Sequence, residues 1–149
     1  MTPAAEGPVI LLTVTGKQTG PDGNTQENTA VYRAAQSLCG EGYLFTYRAE
    51  DVQVRLFLSR TLAWMERNGV KDTRMVFDPA LFSTRCDYET AYGTIPMEIR
   101  TGKISVLSGG LRQSGSSAGN IRARIHYTLV MGQDYEQKCS VTIKTQQIV

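Results

Sequence analysis

Alternation between apolar and polar residues dominates this chain. Ile121, Ala123, Ile125, Tyr127, Leu129 and Met131 alternate with Asn120, Arg122, Arg124, His126 and Thr128. A period of two is that of a strand with one face in a core and the other in water. The next segment repeats it, with Tyr135, Cys139, Val141 and Ile143 on one face and Glu136, Lys138, Ser140, Thr142 and Lys144 on the other. The two faces constrain the turn between these strands. A two-residue loop would set Leu129 against Glu136. A three-residue loop over 132–134 pairs Leu129 with Gln137, Tyr127 with Cys139 and Ile125 with Val141, and a one-residue slip would turn every side chain over. The three-residue loop is therefore expected.

A second hairpin is expected around Asn68-Gly69, a pair that accepts the positive φ angles of a two-residue turn. Pairing outward from it sets Glu66 against Lys71, Trp64 against Thr73 and Leu62 against Met75. Leu62, Trp64, Met75 and Phe77 then form the buried face. Further strands are expected over 9–18, 26–37, 43–48, 51–59, 83–90 and 95–106, the last bent near Gly102. Pro21-Asp22-Gly23 marks a type I turn closed by glycine. The Ala34-Ala35 centre of the second segment is also compatible with a helix.

About ten short strands with frequent turn signals, and no sustained 3.6 period, indicate a sandwich or barrel. Closure is favoured because it removes exposed sheet edges. The expected architecture is all-β: a closed or nearly closed antiparallel barrel of 8–10 strands. One domain is expected over 9–145, after a flexible segment 1–8. The Gly/Ser-rich stretch 108–120 reads as a long surface loop, or as a lid over one barrel end.

Composition changes this picture little. The 149 residues include 41% apolar and 20% charged side chains, enough to build a core unaided, and the formal net charge is +2. Near-neutral charge gives no global reason to expect an anionic membrane or nucleic acid as partner. Three cysteines without a CxxC argue against a disulfide framework or zinc site and fit a reducing cytoplasm. The apolar run 9–12 is too short for a membrane span.

Four segments carry a family resemblance: Met65-Glu66-Arg67-Asn68-Gly69, Met75-Val76-Phe77, Tyr88-Glu89-Thr90-Ala91-Tyr92-Gly93-Thr94 and Ile99-Arg100-Thr101. Their order resembles that of the YwiB-like family of small bacterial proteins, over about 9–144. The resemblance implies a calycin, lipocalin-like barrel of eight to ten strands. It implies no activity. Ala91 stands where the family tends to have proline, and the Gly-x-Trp start of true lipocalins is absent.

Candidate chemistry is sparse. His126 is the only histidine and faces outward with Arg122 and Arg124, so neither a His-dependent triad nor a His/Cys metal site is expected. No Gly-x-Ser-x-Gly or phosphate-binding loop is present. An enzyme is the less favoured reading, and no cofactor or metal is expected. The outer cations Arg122, Arg124, His126, Lys138 and Lys144 could meet phosphates, but no outward aromatic is interleaved with them. They read as a solvated face. The family-like cluster Arg67, Tyr88, Thr90, Tyr92 and Gly93 reads either as a structural corner or as a polar-ligand site at the barrel mouth. Tyr47 and Trp64 join it as candidates for the lining. The inward aromatics Tyr43, Phe45, Tyr47, Trp64, Phe77 and Tyr127 would line a cavity or fill the core. Two functions follow: a non-enzymatic binder of a small, partly apolar ligand, or a filled barrel acting as an interaction or structural module, such as a homodimer.

Overall fold

The computed structural model describes residues 9–68, 73–90, 92–109, 120–132 and 135–148, with the backbone alone at 88–90, 108 and 109. Ten strands follow one another: β1 Val9–Thr19, β2 Thr25–Cys39, β3 Gly42–Ala49, β4 Val52–Leu58, β5 Ala63–Asn68, β6 Thr73–Phe77, β7 Thr84–Thr90, β8 Gly93–Gly109, β9 Asn120–Met131 and β10 Tyr135–Gln147. The Ala34-Ala35 centre is strand, with Ala34 buried. No described helix is long and apolar enough to cross a membrane.

All ten strands belong to one antiparallel sheet in the order β6-β5-β4-β3-β2-β1-β10-β9-β8-β7. β1 lies between β2 and β10, and the sheet rolls until its edges, β6 and β7, pack side by side. The barrel is thus nearly closed. No ladder pairs these two edges among the described residues. A side chain bridges the seam instead: the Thr84 hydroxyl donates to the Val76 carbonyl over 2.6 Å.

The concave face holds the core. Ile10, Leu12, Phe45, Leu56, Leu58, Ile125 and Ile143 are each 1% exposed or less, so the barrel's waist is filled. The β9–β10 ladder pairs Leu129 with Gln137, Tyr127 with Cys139 and Ile125 with Val141, as the apolar pattern requires. Gly132, at φ 69°, begins the connection, and 133–134 lie outside the described residues. The 20–23 turn closes with the Gly23 N–H donating to the Gly20 carbonyl over 3.0 Å. β8 bends where its pairing with β9 skips Gly102.

The β5–β6 register corrects the sequence reading. Arg67 pairs with Thr73, Met65 with Met75 and Ala63 with Phe77, while Trp64 faces Val76. Five residues, 68–72, follow the last β5–β6 pair, Arg67 with Thr73, where two were expected; Gly69 of the expected turn lies outside the described residues. The offset is three residues, an odd number, so the faces of β5 exchange. β4 supplies the reason: Leu56 and Leu58 point inward and pair with Met65 and Ala63. Trp64 therefore lies half-buried on the convex face. There it stacks on Phe57 (5.7 Å between centroids) under the guanidinium groups of Arg55 and Arg74, both ion-paired to Glu66.

Candidate functional site

Antiparallel order brings the C-terminal ends of β1, β3 and β5 to one mouth of the barrel, with the N-terminal ends of β2 and β4. Ladder register then dictates which side chains meet there. Tyr47 pairs with Val54, Val54 with Arg67 and Arg67 with Thr73, one cross-strand row on the concave face. Tyr32 enters from β2 and stacks on Tyr47, with centroids 4.5 Å apart and planes 28° apart. Val14, Gly16, Met65 and Arg67 complete an opening of about 290 Å³.

Gly16 makes much of this space. It faces the mouth between Asn28 and Val141, and a Cβ built on it would meet nothing within 4 Å. The space continues an apolar cup rather than a tunnel, because the waist below is packed. Tyr47 lies at the boundary. Burial, with a smaller contribution from Tyr32, pushes its phenol up to about 12, against the opposing pull of Arg67. At neutral pH this hydroxyl is a hydrogen-bond donor, not a base. The opening is thus lined by two stacked phenol rings, a thioether, aliphatic walls and one guanidinium.

The candidates separate as follows. Arg67 and Tyr47 share the mouth. Gly93 begins β8 at φ 123°, a left-handed value that favours glycine, and Tyr92 beside it is 100% exposed. Tyr92 thus points into solvent rather than into the opening. Tyr88 and Thr90 pair through their backbones with Ile95 and Gly93; their side chains lie outside the described residues. Trp64 is excluded from the lining by the register described above. Sequence reasoning missed Tyr32, Met65 and Gly16. The Ala30-Tyr32-Ala34 alternation could have revealed Tyr32, but the exposed residues before it blurred the pattern.

His126 is exposed, and no cluster of three or more His, Cys, Asp or Glu side chains able to hold a metal occurs among the described residues. Cys39, Cys86 and Cys139 are free thiols, and burial raises the pKa of the latter two, which makes them poor nucleophiles.

Comparison with known proteins adds a family and a fold. A family model described as a domain of unknown function, DUF1934, matches residues 13–143. The crystal structure of the ywiB protein from Bacillus subtilis superposes with a TM-score of 0.65, at 14% identity, over 98% of this chain and 97% of that one. No curated protein matches by sequence.

Proposed function

The chain belongs to the DUF1934 family, whose description carries no activity, and we propose that it is a non-enzymatic barrel binding a small, partly apolar anion at the mouth formed by Tyr32, Tyr47, Met65 and Arg67. One observation carries this reading. Gly16 leaves open a cup walled by stacked tyrosines and edged by a guanidinium, directly above a packed core. Apolar walls with one charged group at the rim are the usual composition of a small-molecule site. Ligand uptake at a barrel mouth is also the habit of calycins, an analogy of fold alone. The free thiols support a reducing compartment, in keeping with a cytoplasmic protein.

The probe we choose is anilinonaphthalene sulfonate, an aromatic anion whose fluorescence rises in apolar surroundings. Saturable binding is expected to the folded protein. Gly16→Leu, whose Cβ would meet nothing within 4 Å, should fill the cup and abolish it, while Arg67→Gln should weaken it about tenfold, the loss of one charged hydrogen bond. Unchanged binding to a folded Gly16→Leu variant would remove this mouth as the site.

A second reading rests on the convex Phe57–Trp64 stack. An aromatic pair on the outside of a barrel suits a protein–protein contact, such as a homodimer. Light scattering tests it: a concentration-independent monomer, unaltered by Trp64→Ala, argues against this interface.

A further inference from the structure

Charge along this chain is segregated in a way the net value of +2 conceals. Stretches 7–21, 99–133 and 137–149 hold half of the 16 Lys and Arg residues and none of the 14 Asp and Glu residues. The fold assembles most of these stretches into one surface. β8 beyond its bulge, β9, β10 and β1 are consecutive strands of the sheet, and their polar positions face outward together.

Register sets the cations in rows. Leu107, Arg122, Lys144 and Thr13 form one cross-strand row; Ser105, Arg124, Thr142 and Thr15 form the next; Lys103, His126, Ser140 and Lys17 form a third. Rows on the same face are roughly 7 Å apart and strands roughly 5 Å apart. The five Lys and Arg residues among these, with His126, sit beside or across from one another with hydroxyls between them. Arg122 lies directly opposite Lys144, a like-charge pairing that costs stability. No ion pair with a described carboxylate neutralises either one. The Arg124 Nε–H donates only to the Thr142 hydroxyl, at 3.3 Å. A shallow cleft of about 510 Å³ runs beside the Arg122–Lys144 pair, lined also by Thr13, Asn120 and Gln146.

We propose that this convex face of β8, β9, β10 and β1 binds the phosphate backbone of a nucleic-acid duplex without reading its sequence. Guanidinium, ammonium, hydroxyl and carboxamide groups are those that contact phosphate oxygens. A duplex presents one negative charge per roughly 1.7 Å of axis, matching an extended surface of cations whose one facing carboxylate in the ladders is Glu27, across from Lys17 at the margin. The face carries no Trp, Tyr or Phe among these rows, which favours a paired duplex over a single strand requiring base stacking. Leu107 is the only large apolar side chain in the three rows, so the surface offers little to insert into a lipid bilayer. The face is on the convex side of the sheet, whereas the tyrosine-lined mouth opens on its concave side.

The test is fluorescence anisotropy of short mixed-sequence DNA and RNA duplexes, titrated with the full chain over a range of salt. About five phosphate contacts predict a log–log salt slope near −4.5, and a loss of about 500-fold between 50 and 200 mM salt. DNA and RNA arms decide which duplex is preferred; binding to either supports the proposal. The double variant Arg122→Gln/Lys144→Gln, which relieves a repulsion and should melt no lower than the parent, should flatten the slope by about 2. Arg55→Gln/Arg74→Gln, on the far side, should leave slope and affinity unchanged. The proposal is overturned if neither duplex binds at low salt, if the Arg122/Lys144 variant binds as the parent does, or if vesicles of mixed phosphatidylcholine and phosphatidylserine bind more tightly than both duplexes.

Discussion

The seam between β6 and β7 gives the most informative single substitution. Thr84→Val removes a hydroxyl and retains the branched shape. The lost bond, from the Thr84 hydroxyl to the Val76 carbonyl, is short at 2.6 Å and partly buried; the same oxygen lies 3.5 Å from the Ile99 carbonyl. A typical hydrogen bond contributes about 1 kcal/mol net, and an acceptor left unsatisfied in partial burial adds to the cost. The expected loss is about 1–2 kcal/mol. For a domain of this size, that lowers the melting temperature by about 2–8 °C. Urea denaturation at equilibrium measures the free energy, and amide exchange locates it. Exchange should accelerate in β6 and β7, whose outer edges hold no ladder, before it changes in β1 and β10 at the centre of the sheet. Thr19→Val is the control, because its hydroxyl bond to Thr25, at 2.9 Å, is exposed. Its effect should stay below about 0.5 kcal/mol. If Thr84→Val and Thr19→Val cost the same, the seam is not held by this side chain, and the argument for a stapled closure fails.

Gly42→Ala should destabilise by about 1–3 kcal/mol in a thermal melt, because its Cβ would meet the Leu58 carbonyl oxygen and sit 2.7 Å from Phe57 Cζ. Phe45→Ala, at a fully buried ring, should cost about 3–5 kcal/mol by urea denaturation. Glu50 occupies φ 57°, so Glu50→Gly should raise the melting temperature, the relieved strain of about 1 kcal/mol outweighing the added chain entropy. Tyr47 ionises at about 12 when folded, against 10.0 for an unperturbed phenol. Its folded pKa is raised, so the stability it contributes is whole below pH 10 and is lost as pH rises toward 12. Tyrosinate absorbance on alkaline titration should show late-ionising phenols, Tyr47 and Tyr127 among them. Normal titration of all seven tyrosines in a still-folded protein would contradict their burial.

The legible parts of the fold were those where two constraints coincided. In β9 and β10, long alternation fixed both faces, and only one loop length joined them; the observed register is the one deduced. Around Asn68 the turn signal acted alone. Its apolar support, Leu62 with Trp64, was misleading because a tryptophan can lie on a convex face when aromatic stacking and flanking arginines cover it. The neighbouring strand β4 decided the parity, and that is long-range information. At the mouth, Arg67 and Tyr47 carried sequence signals. Gly16 did not, since an isolated glycine in a strand does not announce which face it opens. The charged face was seen residue by residue, but its extent depended on β1 joining β10, a pairing across most of the chain.

The placement of β1 beside β10 also bears on how the chain could be rewired. Starting at β7, every hydrogen-bonded neighbour would be consecutive through β10, β1 and on to β6, a plain up-and-down meander. Ile10 already faces Gln147, so a short turn can join these strands, and the exposed Leu81-Phe82 step offers a place to cut. Such a circular permutant would turn the longest-range ladder into a local hairpin and leave the new ends at the natural opening of the sheet. Lower contact order predicts that it folds faster than the parent while keeping the same barrel.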